Sequence, residues 1–276
     1  MRLTTTTNVS VDGVMQGLGG PDEDRSGGFE RGGWAIPLLD TETGDYLNQV
    51  YGGAAAFLFG RRTYEIFAGS WGAMADPSTS PIAAALNSRP KYVASTSLAN
   101  PQWAGTTVLH GDVATAVGDL KAHQDGTLLV PGSGALVRWL LANDLIDQLD
   151  LLTYPVVIGQ GTRLFPDSGP DVALDLVNSR TTSRGITIQT YRPLGRPEYV
   201  KSTLDPEHVM RDATSGRRSE NTPKIRPRLV ADLAARRSTV GDQERPRRAM
   251  APRFIPISMC NRLAATRPLT YSHIDI

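Results

Sequence analysis

The 276 residues carry 40% hydrophobic and 21% charged side chains with a formal charge of +1, an ordinary globular balance, and no apolar run approaches the roughly 18 residues of a membrane-spanning helix. A single cysteine, Cys260, excludes an internal disulfide and stands apart from any metal-ligand spacing. The near-neutral total conceals two unlike parts, since residues 1–195 hold 13 Lys/Arg against 19 Asp/Glu and residues 196–276 hold 16 against 9.

The Thr-rich stretch from Leu3 to Val11 reads as a strand that stops at the turn dipeptide Asp12-Gly13. A loop crowded with glycines and acids follows, from Gly17 to Gly33, too flexible for a regular element and long enough to serve an active site. Asp40 to Val50 fits a helix with acids in its first turn. Ala54 to Phe59, bounded by Gly53 and Gly60, is the unbroken apolar run of a strand buried on both faces. Helices are expected near Thr63–Phe67 and Ile82–Asn87, then strands at Lys91–Ser95 and Thr106–Leu109. A helix from Asp112 to His123, a strand at Thr127–Val130, a helix at Ala135–Ala142 and a strand at Ile146–Tyr154 complete the alternation. Val172–Ser179 and Ile186–Arg192, joined through Ser183-Arg184-Gly185, read as a hairpin. The whole predicts an α/β domain with three α/β/α layers: a mainly parallel sheet, helices on both faces and a C-terminal antiparallel hairpin.

Three segments are suited to phosphate. Gly132-Ser133-Gly134-Ala135 turns a strand into a helix, aiming backbone N–H groups and the positive helix end at one point. Gly60-Arg61-Arg62-Thr63 places two guanidinium groups at a helix start, where cations oppose the helix dipole unless an anion is near. Ser95-Thr96-Ser97 ends a strand with adjacent hydroxyls, suited equally to a sugar phosphate and to capping a turn. His110 and His123 lack metal-ligand spacing, and no metal site is expected. Trp34, Tyr46, Tyr51, Tyr64, Phe67, Trp71, Trp103 and Trp139 read as core or loop anchors.

Taken together these segments resemble the NADPH-binding pattern of the dihydrofolate-reductase-like superfamily. Asn8 to Gly13 and Gly161 to Asp167 are similar to the first strand and a late segment of its RibD C-terminal, riboflavin-biosynthesis branch. The resemblance covers residues 1–195. It implies that Gly60, Arg61, Arg62 and Thr63 meet cofactor phosphates, that Ser95, Thr96 and Ser97 lie near the adenosine 2′-phosphate, and that Gly132, Ser133, Gly134 and Ala135 hold the pyrophosphate. It implies hydride transfer from NADPH to a pyrimidine, pterin or related imine-like small molecule. By its distance ahead of the Gly-Arg-x-Thr motif, Asp45 corresponds to the substrate carboxylate, with Asp12 as a second candidate acid, and Arg163 is nominated for a substrate phosphate. The alternative is a non-catalytic nucleotide-binding protein. A His-x-Glu with Pro-Cys-x-x-Cys, the zinc signature of an accompanying deaminase, is absent. The relatives suggest a homodimer built on the C-terminal hairpin or on strand Ile146–Tyr154.

From residue 196 the chain is broken by prolines and paired arginines and is expected to be mostly disordered, with one short helix at Arg228–Arg237. Its arginines lack a nucleic-acid-binding motif, so nucleic acid is not an expected partner. The opening Met1-Arg2-Leu3-Thr4-Thr5 has no secretory pattern, which leads to a cytoplasmic expectation.

Overall fold

A computed structural model of the chain describes residues 1–199. Cys260, the Arg228–Arg237 helix and the expected disorder beyond residue 199 lie outside the described residues. Within them the chain order is β1 (Arg2–Ser10), α1 (Thr41–Gly53), β2 (Ala56–Gly60), α2 (Arg61–Ser70), α3 (Pro81–Ser88), β3 (Lys91–Ala94) and β4 (Thr106–Leu109). Then come α4 (Val113–His123), β5 (Thr127–Gly132), α5 (Gly134–Ala142), β6 (Gln148–Tyr154), β7 (Leu174–Thr181) and β8 (Thr187–Pro193). Each expected element is present. The largest shift is at α2, which begins at Arg61 directly on the last residue of β2, because Gly60 serves both as strand end and as extended N-cap.

The eight strands form one sheet in the order β4-β3-β2-β5-β1-β6-β8-β7. From β4 to β6 every pairing is parallel, and β8 and β7 add the antiparallel hairpin. The C-terminal ends of the parallel strands therefore share one edge of the sheet, and the loops that leave them gather there. On one face Leu3, Leu58, Leu128 and Leu149 pack against Val117 of α4 and Leu136, Val137 and Leu140 of α5. On the other, Phe57, Phe59, Val93 and Leu129 meet Tyr51 of α1, Tyr64 of α2 and Leu86 of α3, with Trp103 closing the cluster. Burying each such side chain contributes about 1.5–3 kcal/mol. Adjacent strands β2 and β5 thus send their helices to opposite faces, which opens a crevice between the two helix starts. Among the described residues no helix is long and apolar enough to cross a membrane.

Candidate functional site

Local sequence sets the helix starts that border this crevice. Asp40, Ser80, Asp112 and Ser133 each cap their helix by accepting a backbone N–H from its first turn, at 2.8 Å for Asp40 with Thr43 and 3.4 Å for Ser133 with Leu136. Helix α2 differs, for its N-cap Gly60 offers no side-chain acceptor and its first turn holds no acid. The N-cap position of α2 therefore supplies no side-chain acceptor to the first turn, unlike the other four helix starts.

The α2 and α5 starts are in contact. A Cβ placed on Gly60 would collide with Oγ of Ser133, and one on Gly132 would lie 2.9 Å from Oγ1 of Thr63. Only glycine permits this approach of the two turns. The Gly60-to-Thr63 and Gly132-to-Ala135 segments therefore form one cradle rather than two. The parallel register of Gly60 with Ala94 brings the third segment beside it. Arg61 donates from Nη1 to Oγ of Ser97 and from Nε to Glu65 at 2.8 Å, so the arginine and hydroxyl patches are joined. Ser95 plays a different part. Buried at 2% exposure, its hydroxyl accepts the N–H groups of Ser97 and Leu98 at 3.2 and 3.1 Å, while Thr96 and Ser97 point outward as exposed residues.

Across the crevice the Gly-rich loop is ordered by contacts that glycine content hides. Gln16, 6% exposed, accepts from Thr162 N at 2.9 Å through Oε1 and donates through Nε2 toward Asp24 and Ser26, and its carbonyl receives the Trp34 indole N–H at 2.8 Å. Phe29 is buried against Val14 and Ile158. Asp24 pairs with Arg62, tying the loop to the start of α2. Neither Gln16 nor Asp24 carried a motif in the sequence.

Among the described residues, no hydrogen bond or ion pair joins either nominated acid to the cradle. Asp45 is exposed on the side of α1 shared with Glu42, Gln49 and Gly52, whereas Thr43 and Tyr51 face the sheet. Asp12 instead clamps a loop, accepting from Ile158 N at 2.9 Å, Ser10 Oγ at 2.7 Å and Gly159 N at 2.7 Å. Desolvation opposes its ionisation, but these hydrogen bonds outweigh it and hold the carboxyl at about 2, leaving it no proton to donate at neutral pH. Arg163 leans on the same residue, donating from Nε to the Asp12 carbonyl at 2.8 Å with Nη2 3.8 Å from its carboxylate, yet the side chain stays 45% exposed.

Two polar features of the sheet beneath the loop escaped the sequence reading. Tyr154, at the end of β6, is fully buried, donates to Asn8 of β1 at 3.2 Å and packs edge-on to Trp34 at 5.5 Å. Asp150, 1% exposed, sits deeper in β6; burial pushes its carboxyl up against the opposing effect of hydrogen bonds from Gln148, Thr190 and Tyr46. The one visible sign was an acid interrupting the apolar run Leu149-Asp150-Leu151-Leu152. A shallow open depression of about 780 Å³ around Met1, Lys121 and Asp147 lies at the opposite edge of the sheet from the α2 and α5 starts.

Helix starts meeting at the point where a mostly parallel sheet sends its helices to opposite faces, with an antiparallel hairpin completing that sheet, define a domain of the dihydrofolate-reductase-like class. More narrowly, the chain belongs to the RibD C-terminal domain family, whose model matches residues 2–188. The uncharacterized protein YyaP of Bacillus subtilis (strain 168) is 26% identical over 191 residues, which is 69% of this chain and 94% of that one. A putative riboflavin biosynthesis protein from Shewanella sp. PV-4 superposes with a TM-score of 0.54 at 18% identity, covering 70% of this chain and 99% of that chain, a likeness of fold. A pyrimidine reductase-like protein from Corynebacterium diphtheriae gives 0.47 at 16% identity over 70% and 92% of the two chains.

Proposed function

We propose that the chain is an NADPH-dependent reductase of a pyrimidine, pterin or related imine-like substrate, as in riboflavin biosynthesis. The observation that carries the reading is the shared cradle of Gly60, Thr63, Gly132 and Ser133, with Arg61 and Ser97 beside it. The residues fit a dinucleotide. The uncapped α2 start and the glycines admit a pyrophosphate to backbone N–H groups, Gly134 and Ala135 continue that wall, and Arg61 with Thr96 and Ser97 suits a 2′-phosphate. Arg62, now paired with Asp24, stands at the margin of the same cradle. When bound, the nicotinamide supplies a hydride to the acceptor.

The chain's own contribution is to orient and to exclude water. The loop ordered by Gln16 and Phe29 is tied to the α2 start through Asp24 and Arg62, and Trp34 packs on buried Tyr154, whose hydroxyl donates to Asn8 of β1. Arg163, exposed beside Asp12, is the cation offered to a substrate phosphate. Neither Asp45 nor Asp12 enters the proposal as a proton donor.

That last point favours the second reading, a protein that binds the dinucleotide without turning it over. Titration with NADPH and NADH, followed by nicotinamide fluorescence and tryptophan quenching, tests the binding. Oxidation of NADPH in the presence of pyrimidine, pterin or quinone acceptors tests the chemistry. The reductase reading expects binding with a preference for NADPH and turnover of one acceptor class; binding without oxidation selects the second reading, and no binding defeats both.

A further inference from the structure

Arg62 occupies a position that its own helix disfavours. It is the second residue of α2, whose N-cap supplies no acceptor and whose first turn holds no acid, so the guanidinium adds positive charge to the positive end of the helix dipole. Such a cation calls for an anion, and the Gly-rich loop provides one. Among the described residues Asp24 is the acid that pairs with Arg62, through Oδ1 and Nη2.

The two ends of this pair are unlike. The Asp24 side chain is 11% exposed and is held from within the loop and its base. The same Oδ1 accepts Ser26 N at 3.0 Å, Ser26 Oγ at 2.7 Å and Gln16 Nε2 at 3.1 Å. With Arg62 these make four donors on one carboxylate oxygen, which has only about two lone-pair directions to offer. Departure of Arg62 therefore leaves Oδ1 fully satisfied. The Arg62 side chain is 48% exposed, Asp24 engages only its Nη2, and the adjacent Thr63 faces Gly132 in the cradle. A phosphate that binds through a fork of two N–H groups is a stronger partner than this single contact.

We propose that Asp24 is a built-in competitor of the dinucleotide phosphate: it holds Arg62 when no phosphate is bound and yields the guanidinium when one binds, which unties the loop of residues 17–33 from α2. The proposal rests on the cradle being a dinucleotide site. By reciprocity, the affinity that the loop takes from the ligand equals the order that the ligand takes from the loop.

Binding of NADPH and, separately, of inorganic pyrophosphate to the full chain tests it in the wild type, Asp24→Asn, Arg62→Ala and the double variant, each checked for folding by a thermal melt. Asp24→Asn keeps Oδ1 for Ser26 and Gln16 and removes the charge. It is expected to tighten both ligands roughly three- to fivefold, as befits a partly exposed ion pair, and by less than about twofold when Arg62 is already alanine. Pyrophosphate, too small to cover the loop, hastens proteolytic cleavage between residues 17 and 33 in the wild type and leaves the rate of Arg62→Ala unchanged.

An equal gain with and without Arg62 means general charge repulsion and overturns the proposal. Weaker binding by Asp24→Asn overturns it too, for Asp24 then orients Arg62 toward phosphate. Where Arg62→Ala binds too weakly to titrate, proteolysis decides: wild-type cleavage indifferent to pyrophosphate overturns the proposal. Tighter pyrophosphate with no variant binding NADPH upholds the exchange and defeats the dinucleotide reading. NADPH affinity unchanged by Asp24→Asn defeats the exchange and keeps that reading, and binding of neither ligand overturns both.

Discussion

Asp40 concentrates several contacts on one carboxylate. It caps α1 through Thr43, accepting the N–H at 2.8 Å and the hydroxyl at 2.6 Å, and reaches across to Arg184 N at 3.2 Å in the β7–β8 turn. Burial opposes its charge, but these hydrogen bonds and one from Thr182 hold its carboxyl down at about 2. Because the folded value is depressed, the stability it contributes is present above about pH 4 and is lost as the pH falls toward 2. Asp40→Asn, which keeps an acceptor for the cap, is therefore expected to cost about 2 kcal/mol at pH 7 and progressively less in acid. Urea unfolding at neutral and acidic pH measures the difference. Gln16 acts through geometry rather than charge. Gln16→Leu strands Thr162 N–H and frees Asp24 and Ser26, so it is expected to cost about 2 kcal/mol and to hasten proteolytic cleavage between residues 17 and 33. Unchanged cleavage would mean that Phe29 alone orders the loop.

At the scale of elements, helix α2 binds the proposal to a measurable quantity. Arg61→Ala removes a guanidinium held toward Ser97, and a charge-assisted phosphate contact contributes about 1.5–3 kcal/mol. NADPH affinity is expected to fall roughly tenfold or more. NADH affinity should fall less, because the lost partner is the 2′-phosphate; equal losses would place Arg61 on the pyrophosphate instead. The order and kind of the elements were legible because buried parallel strands such as Ala56–Gly60 are continuous apolar runs and their glycine boundaries are sharp. The cradle was legible only in pieces. Its unity depends on Gly60 abutting Ser133 across neighbouring strands, which local sequence does not encode. A turn cap and a phosphate contact present the same residue type, so sequence alone groups Ser95 with ligand hydroxyls. Distance ahead of a motif nominates Asp45, whereas helical periodicity places it with Glu42 and Gln49 on the outer side of α1. Gln16 carried no pattern at all, since its importance lies in a contact with Thr162, far along the chain.

At the scale of the whole molecule, the eight strands found among the described residues and the helices that cover them fall between Arg2 and Pro193, and the residues of both core clusters lie within that span. Folding cooperativity follows from that closed core, so a chain ending at residue 199 is expected to unfold in a single transition with a midpoint within about 3 °C of the full chain. The excess acid of residues 1–195, 19 Asp/Glu against 13 Lys/Arg, is offset in the full chain by the 16 against 9 that follow. Truncation removes that offset and leaves NADPH, itself an anion, facing a net negative domain. The cradle's local cations and helix starts act at contact distance, where salt screens them little, whereas the net charge acts over about 8–10 Å and more. The shortened chain should therefore bind NADPH more weakly at low ionic strength, by roughly two- to threefold, and equally well near physiological salt. Parallel titrations of the two chains at low and physiological salt measure this. A difference that persists at physiological salt would mean that residues beyond 199 touch the dinucleotide directly, and a midpoint lower by about 10 °C or more would mean that they complete the fold.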